Sequence, residues 1–521
     1  MRKERFEMEY NIVHYGATGD GMTDDTAAIQ SAIDSALAVG GGIVFFPAGG
    51  TYIVSQLNVS EGLIIRGYGA TIKRPANQSK WTRTFTTTVA GYLYNSSVDS
   101  KPLIFQGLTI DGNLQNQGTY ENYELEQAHL IFLMGDATNS GKLRAVIEDC
   151  YFKDCVADAI SVYTNVSVQI SNCTAVDCFR GGVVITGGYS NVHVNNFKAH
   201  GVVHATGIDV ELDGPGYGNT LKTDITMNNL YLPDGEFDVG VLQGSTFTGS
   251  NIIVNKSPFN LYADNSTVKI MNSVFHIGVL DDYLDRIVSP YDVTFQNCTF
   301  YAHKPAGTEG NRSIACIHLF QFGNSNQTLR FLDCDFKVDG SVGAADTVYA
   351  LYFEGDQLDK NNRVIVEGGS ISNRFNYGLY WKYGGRAIVR NTYVEASTCF
   401  YFGVTSGGYD YDVTLDGTIS KNYTKLLEIA TGNSSCKLTT KNIVMAESEN
   451  IHSLGSGATS VSYDGGRLIL GDSSPVSRSV PGLPHDVFRL KTAVPGADYE
   501  WVCTAGSGTA ATWKRRTTLG S

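Results

Sequence analysis

The sequence is poor in charged residues and short of basic ones. Charged residues make up 17% of the 521 positions, and 52 Asp and Glu outnumber 39 Lys and Arg, which gives a formal net charge of −13. Phosphate-rich partners need a basic surface, so the composition argues against binding to nucleic acid or to an anionic membrane. An anionic sugar polymer remains compatible with it if one groove is locally basic.

Long apolar runs and metal-type cysteine spacings are also missing. No stretch of 18 apolar residues occurs, and no apolar stretch follows the basic residues of MRKERFEMEYNIVHYG. We therefore predict neither a transmembrane segment nor a secretory signal. No CxxC pair occurs among the ten cysteines. Cys150 and Cys173 are 23 residues apart, as are Cys155 and Cys178, so we expect buried thiols at equivalent positions of a repeat.

A short repeat is what the sequence does contain. Alternating apolar residues followed by Asn or Asp recur, first at steps of 23 and 24 residues and then at longer steps. Alternation predicts strands, and about 23 residues with three short strands suit one coil of a parallel β-helix. Asn suits a sharp left-handed turn and can hydrogen-bond along a stack. The turn positions are Asp149, Asn172, Asn196, Asn229, Asn272, Asn297, Asp333 and Asn391.

Both ends differ from the repeats. Asp24 and Asp25 precede apolar residues at helical spacing, which predicts an amphipathic helix that caps the first coil. Beyond about residue 460 the repeats fade, and Trp501 and Trp513 are expected to form the core of a small β module, with a sugar or trimer contact as the alternative. The predicted domains are a cap with the first strands (1–60), a β-helix (61–460) and a C-terminal β module for trimerisation (461–521).

Three segments carry a family resemblance. This resemblance implies an all-β fold. The expected architecture is a right-handed parallel β-helix (solenoid) with an N-terminal capping helix and a small C-terminal β module. YNIVHYGATGDGMTDDTAAIQSAIDSA with GGGIVFFPAGGTYIVS resembles the N-terminal signature of the pectate-lyase-like superfamily, and LTIDGN (108–113) is similar to the motif that opens its main coils. EWVCTAGSGTAATWK (500–514) looks like a tail module of phage and bacterial spike proteins. The superfamily includes lyases, hydrolases, epimerases and non-catalytic spikes, so the resemblance leaves the reaction open.

Among these families the phage tailspikes fit a chain without a signal peptide, because tailspikes are assembled in the cytoplasm and released by lysis. The resemblance implies a homotrimer in the virion tail, or an extracellular protein, that binds and cuts bacterial capsular polysaccharide, exopolysaccharide or O-antigen. No cofactor is predicted, with a Ca²⁺ ion at the acidic face as the alternative.

The predicted catalytic pair is Asp209 and Glu211. Because side chains alternate between the two faces of a strand, Asp209 and Glu211 both point outward, with their Cα atoms roughly 6.5–7 Å apart. Glycoside hydrolases place two carboxylates about 5–9.5 Å apart, and repulsion between them raises one pKa and supplies the general acid. A solvated acidic strand edge is the alternative. The three strands that align here are AISVY (159–163), GVVIT (182–186) and GIDVE (207–211).

Seven further residues are predicted to bind the substrate. Arg180 suits bidentate bonds to a carboxylate or sugar, and a surface ion pair with Asp158 is its alternative. His204, five residues before Asp209, is either a base or a bystander. Aromatic residues of the loop 114–128 suit stacking on sugar rings. The set is Asp158, Tyr163, Arg180, His204, Asp213, Tyr120 and Tyr123.

Two other functions remain open. A lyase or epimerase of the same fold needs a base at C5 of a uronate and a positive group on its carboxylate. No strongly basic cluster is evident on the predicted face, which counts against this chemistry. The other is a binding-only spike, in which Asp209 and Glu211 hydrogen-bond a sugar without cutting it.

Overall fold

The chain forms two compact units in the computed structural model. The first comprises Met1–Pro258 with Asn265–Val268, and the second comprises Phe259–Asp264 with Lys269–Ser521. The described residues contain no helix that is both long and apolar enough to cross a membrane. The structure describes residues 8–87, 101–118, 124–135, 142–201, 206–212, 222–234, 236–242, 244–255, 259–278, 286–321, 326–354, 361–382, 384–403, 410–421, 425–429, 435–446, 450–454, 460–464, 468–471, 475, 486–490, 498–506 and 511–518.

The first unit begins with the predicted amphipathic helix, which spans Thr26–Ala38 and buries Ile29 and Ile33. The helix packs on the strand Gly42–Phe45, as expected for a cap. Asp25 is the N-cap residue, but its side chain accepts hydrogen bonds from the Thr18 backbone and hydroxyl rather than from the helix. The carboxylate therefore ties the helix start to the preceding turn.

Parallel strands build the rest of the first unit, with two short 3-10 helices at Ile12–Tyr15 and Leu114–Asn116. Its strands are Glu9–Asn11, Asp20–Asp24, Gly42–Phe45, Thr51–Ile53, Leu57–Asn58, Leu63–Arg66, Thr71–Lys73, Phe85–Thr86, Leu103–Gln106, Thr109–Asp111, Ile131–Leu133, Leu143–Glu148, Tyr151–Lys153, Asp158–Val162, Val166–Val176, Gly181–Ile185, Asn191–His200, Thr206–Glu211, Asp224–Leu232, Glu236–Leu242 and Thr246–Val254. The strand Thr267–Met271 has residues in both units.

The second unit repeats the parallel arrangement and ends in antiparallel strands. Its strands are Phe259–Asp264, Val274–Ile277, Arg286–Val288, Asp292–Gln296, Thr299–Ala302, Ser313–Gln321, Thr328–Leu332, Asp335–Val338, Thr347–Phe353, Arg363–Glu367, Ser370–Trp381, Gly385–Arg390, Tyr393–Phe402, Asp410–Asp416, Ile419–Lys421, Lys425–Ile429, Ser435–Lys441, Val444–Ala446, Asn450–Leu454, Ser460–Asp464, Leu468–Gly471, Val487–Leu490, Asp498–Gly506 and Ala511–Thr518. The last three pair antiparallel.

The turn residues confirm the predicted coil. All eight predicted Asn and Asp positions have left-handed backbone, with φ between 49° and 56°. Asn172 Nδ2 donates to Asp149 Oδ1 at 3.2 Å, and Asn196 Nδ2 donates to Asn172 Oδ1 at 2.9 Å. The ladder then changes register, because Asn229 Nδ2 donates to Asn195 Oδ1 at 2.8 Å rather than to Asn196. The side-chain amides of Asn172, Asn196 and Asn229 therefore each bond to a residue of the neighbouring coil.

Cysteines and tryptophans also lie where the sequence predicts. Cys155 and Cys178 are fully buried with their Sγ atoms 3.0 Å apart, as free thiols. Trp501 and Trp513 are buried against Phe488 in the antiparallel C-terminal strands, which confirms their core role. The all-β parallel β-helix with a capping helix and a small C-terminal β module is thus confirmed, and the proposed domain limits stay a prediction.

Candidate functional site

The three aligned strands of the first unit are in the predicted register. Ser161 pairs with Val184, Val184 with Asp209, and Asp209 with Asp238, so these side chains form one column on the outer face. The face is not open along its whole length, however. Ser161 and Val184 are 2% and 0% exposed, Asp209 is 8% exposed, and Glu211 is exposed. Asp209 is therefore nearly enclosed, and Glu211, in the adjoining column, is the exposed carboxylate of this strand.

Asp209 is a carboxyl group in a poor environment for negative charge. Burial, followed by the charges of Glu211, Asp238 and Asp158, raises its pKa to about 8, although Arg180 opposes the shift. Among the described residues, no group donates a hydrogen bond to its Oδ1 atom. Asp209 is therefore mainly a neutral carboxylic acid at pH 7, able to donate a hydrogen bond or a proton.

Arg180 lies between the acidic groups. Its guanidinium nitrogens lie 3.5 Å from Asp158 Oδ2 and 3.6 Å from Glu211 Oε2, and one of them donates to the Glu126 carbonyl at 3.3 Å. Burial alone would lower the pKa of Arg180, but these carboxylates together with Asp209 raise it. Arg180 is thus a fixed positive charge on the acidic face.

Asp158 lies beneath Arg180 and not at the surface. Its side chain is fully buried, and His129 Nδ1 is 2.9 Å from Asp158 Oδ2. The interpretation of Asp158 and Arg180 as a surface ion pair is therefore corrected, because Asp158 is enclosed at the start of its strand. Burial lowers the pKa of His129 even though Asp158 opposes the shift. Asp158 therefore lies between the His129 ring and the Arg180 guanidinium.

Sequence reasoning missed His129 because it lies 29 residues from Asp158 and carries no motif. The signal that could have found it is its position next to the strand Ile131–Leu133, which is aligned with the strand that starts at Asp158.

A second arginine, which the sequence analysis did not single out, lies near the same column. The Arg83 guanidinium lies 3.6 Å from the centre of the Phe132 ring, and its Nε donates to the Gln127 carbonyl at 3.4 Å. Burial lowers the pKa of Arg83, and the nearby Tyr163 opposes this shift. Phe132 and Tyr163 stack with centroids 6.0 Å apart. Both arginines are therefore held by the backbone of Glu126 and Gln127.

The described residues at both ends of the loop 114–128 pack on the core. Leu114, Leu125 and Ala128 pack with Val156 and Phe179 in a buried cluster. Packing of this kind fixes the Glu126 carbonyl that orients Arg180. Four predicted substrate residues, His204, Asp213, Tyr120 and Tyr123, lie outside the described residues, so their roles stay predictions, as does a Ca²⁺ ion at Asp209 and Glu211.

Comparisons with known proteins agree with the architecture. Residues 10–262 match the family described as "Rhamnogalacturonase A/epimerase, pectate lyase-like". Mannuronan C5-epimerase AlgE1 of Azotobacter vinelandii is 36% identical over 118 residues, which cover 21% of this chain and 8% of that protein. Alginate lyase 7 of the same organism is 35% identical over 130 residues, 22% of this chain and 15% of that protein.

A further relative covers more of the chain at lower identity. Plasmin and fibronectin-binding protein A of Streptococcus pneumoniae is 26% identical over 306 residues, 53% of this chain and 37% of that protein. This chain therefore matches only a small part of the length of the curated relatives that come first. None of the relatives named here is a tailspike, so that interpretation and the virion location gain no support. Residues 10–262 are thus similar to the pectate lyase-like family, and the match covers a little under half of the chain.

Proposed function

We propose that the protein is a carbohydrate-active enzyme that removes the C5 proton of a uronate residue in an anionic polysaccharide, as an epimerase or a lyase. The observation that carries the proposal is the neutral Asp209 carboxyl beside Arg180 on an otherwise acidic face. Names of the partial relatives, mannuronan C5-epimerase and alginate lyase, support the same substrate class.

Proton removal next to a carboxylate is difficult because negative charge accumulates on that carboxylate in the transition state. Fixed donors and cations that face the developing charge are an effective remedy. Arg180 offers a guanidinium and Asp209 offers a neutral O–H, and both lie where a uronate carboxylate would meet the outer column. An ionised Asp209 would repel this substrate, so its raised pKa has a direct use.

Two groups flank this position in the adjoining outward column. Glu211 follows Asp209 by two residues and is exposed, and Tyr163 is half-buried two coils away. With strands about 4.8 Å apart, two coils separate their backbones by about 9.6 Å, enough for one sugar ring. We assign Glu211 as the base and Tyr163 as the group that returns a proton to the opposite face. An epimerase completes that return, whereas a lyase expels the C4 oxygen instead.

Glycoside hydrolysis is the second candidate, favoured by the same pair of carboxyl groups. A neutral Asp209 and an exposed Glu211 on one strand face would serve as general acid and base. A trimeric, tailspike-like depolymerase of capsular or O-antigen glycan would use this chemistry. The homotrimer itself stays a prediction.

Product analysis separates the candidates. The protein is incubated in D₂O with mannuronan, alginate, polygalacturonate and a neutral glucan. An epimerase incorporates deuterium at C5, a lyase gives an unsaturated product that absorbs in the ultraviolet, and a hydrolase gives only new reducing ends. Binding without any product would overturn the catalytic proposal and favour a spike.

Substitution of Asp209 sharpens the choice. Asp209→Asn keeps a neutral hydrogen-bond donor, so a C5 enzyme retains activity within about tenfold, whereas a hydrolase that needs a proton from Asp209 loses about 10²–10⁴-fold. Asp238→Asn is the matched control, since Asp238 is the next residue of the same column.

A further inference from the structure

Three metal-binding side chains converge in the second unit, on three successive coils. His303 Nδ1 lies 2.5 Å and His276 Nδ1 lies 3.5 Å from Asp339 Oδ2, and one ligand atom of each residue lies within 4.8 Å of the others. Backbone hydrogen bonds fix the positions of His303 and Asp339 on successive coils. The His303 N–H donates to the Ile277 carbonyl, and the Asp339 N–H donates to the Ala302 carbonyl. His303 and Asp339 are therefore vertical neighbours just beyond their strands. His276 lies on the preceding coil in register with Tyr301, and its imidazole reaches Asp339 from there.

Neighbouring groups hold two of the three side chains in place. Ser341 binds Asp339 Oδ1 through its backbone N–H at 2.7 Å and through its hydroxyl, so Oδ2 remains directed at both imidazoles. The Tyr301 ring stacks on His276 with centroids 4.7 Å apart. Of the described residues, none hydrogen-bonds His303 Nε2, and this buried ring is held on its Nδ1 side only. The support of Asp339 by Ser341 is typical of a ligating carboxylate that is held in one orientation.

Two lysines close in sequence to the three residues bind other carboxylates. Lys337 Nζ lies 3.1 Å from Asp335, and Lys304 Nζ lies 3.0 Å from Asp346. Each ammonium is thus engaged with another carboxylate. The Asp339 carboxylate and the two imidazoles together form a set of three metal-ligand side chains.

We infer that His276, His303 and Asp339 bind one divalent transition-metal ion, with Zn²⁺ as the preferred ion and water as its fourth ligand. Tetrahedral zinc with bonds of about 2.0–2.1 Å places its ligand atoms about 3.3 Å apart, so His303 and Asp339 need to separate by less than about 1 Å. Two imidazoles disfavour Ca²⁺, which prefers six to eight oxygens. The site joins three coils and is independent of the proposed uronate chemistry.

Metal titration of the whole chain tests the inference. Protein freed of metal with a chelator is titrated with Zn²⁺ by calorimetry and with Co²⁺ by visible absorption, which is intense for tetrahedral cobalt. We expect one ion per chain and the tetrahedral cobalt spectrum. Asp339→Asn and His276→Ala weaken binding by at least about 100-fold, and Ser341→Ala weakens it by about tenfold through the lost support of Asp339.

His193→Ala is the matched control, because His193 is an exposed histidine on a strand of the first unit. Each variant is checked for an unchanged unfolding midpoint without metal. Absence of stoichiometric binding by the folded parent overturns the site. Binding that survives in folded Asp339→Asn and His276→Ala proteins overturns it equally, as does binding that His193→Ala abolishes.

Discussion

The outer faces of the two units are built alike and filled differently. In the first unit the column Ser161, Val184, Asp209 and Asp238 brings carboxyl groups together. In the second unit His318, Tyr352, Tyr380 and Tyr401 occupy successive coils in register. The tyrosine rings are nearly parallel, with centroids 5.1 and 4.4 Å apart along the stack.

The difference shows what a parallel stack does to like side chains. Strands lie about 4.8 Å apart, close to the spacing of stacked rings, so identical aromatic residues stabilise each other on successive coils. Carboxylates at the same spacing repel each other. In the first unit, the positive charge of Arg180 and a proton on Asp209 reduce this repulsion. A stack that needs such compensation is a costly arrangement to keep for structure alone, which supports a functional role for that face.

Loss of Arg180 should give the largest effect. Arg180→Ala is expected to lower kcat/KM on the uronate polymer by about 10²–10³-fold, because the fixed cation that faces the developing charge is removed. Arg180→Lys should recover part of the loss. Tyr380→Phe in the second unit is the control and should stay within about twofold. If Tyr380→Phe and Arg180→Ala lowered kcat/KM equally, the conclusion that only the face of the first unit is functional would be wrong.

Truncation in the aromatic column should give the largest effect on stability. Tyr380 stacks between Tyr352 and Tyr401, so Tyr380→Ala should cost about 2–4 kcal/mol of unfolding free energy, measured by chemical denaturation followed by circular dichroism. Tyr380→Phe keeps the ring and should cost under about 1 kcal/mol. If both variants cost the same, the hydroxyl rather than the stacking stabilises this column.

The pKa of Asp209 makes a two-part prediction for pH. Because the reaction needs the neutral acid, activity should fall about tenfold per unit above pH 8, and Asp209→Asn should remove this fall. Between the ordinary Asp pKa of 3.8 and about 8, the folded state keeps a proton that the unfolded state has lost, so stability declines as pH rises. Asp209→Asn should therefore gain stability over the parent at pH 9, on the order of a few kcal/mol, and not at pH 4. A constant difference from pH 4 to 9 would contradict the assignment.

Changes in the turn ladder should have the smallest effects, of similar size in both units. Asn172→Ala and Asn297→Ala place alanine at φ of 54° and 53°. The first removes the hydrogen bonds to Asp149 and from Asn196, and the second removes the hydrogen bond to Asn272. Each should cost about 1–2 kcal/mol of unfolding free energy, and the glycine variants should cost less. Thermal and denaturant unfolding measure both. A cost confined to one unit would show that the coils are not equivalent.

The sequence was sufficient to predict the β-helix coil but not the surroundings of the side chains at the candidate site. The alternation and the turn residues predicted which side chains of 159–163, 182–186 and 207–211 lie in register, because those signals repeat locally. The burial of Asp158 against His129 was not predictable, since it depends on side chains from different coils. Arg83 over Phe132 was missed for the same reason. Alignment of YALYF with YGLYW at 349–353 and 377–381 would have revealed the tyrosine columns.

The left-handed turns have a consequence for how such a chain can diversify. Thirty-three residues separate Asn196 from Asn229, against 23 between Asp149 and Asn172, yet the strands Asn191–His200 and Asp224–Leu232 stay paired residue by residue. Ten extra residues are thus accommodated between two coils without a shift in the backbone pairing of the two strands, although the Asn229 amide bonds to Asn195 rather than to Asn196. Insertions between paired strands can therefore change the loops that surround a bound polymer. The spacing of the strands stays the same, so new specificities can arise without a change in the scaffold.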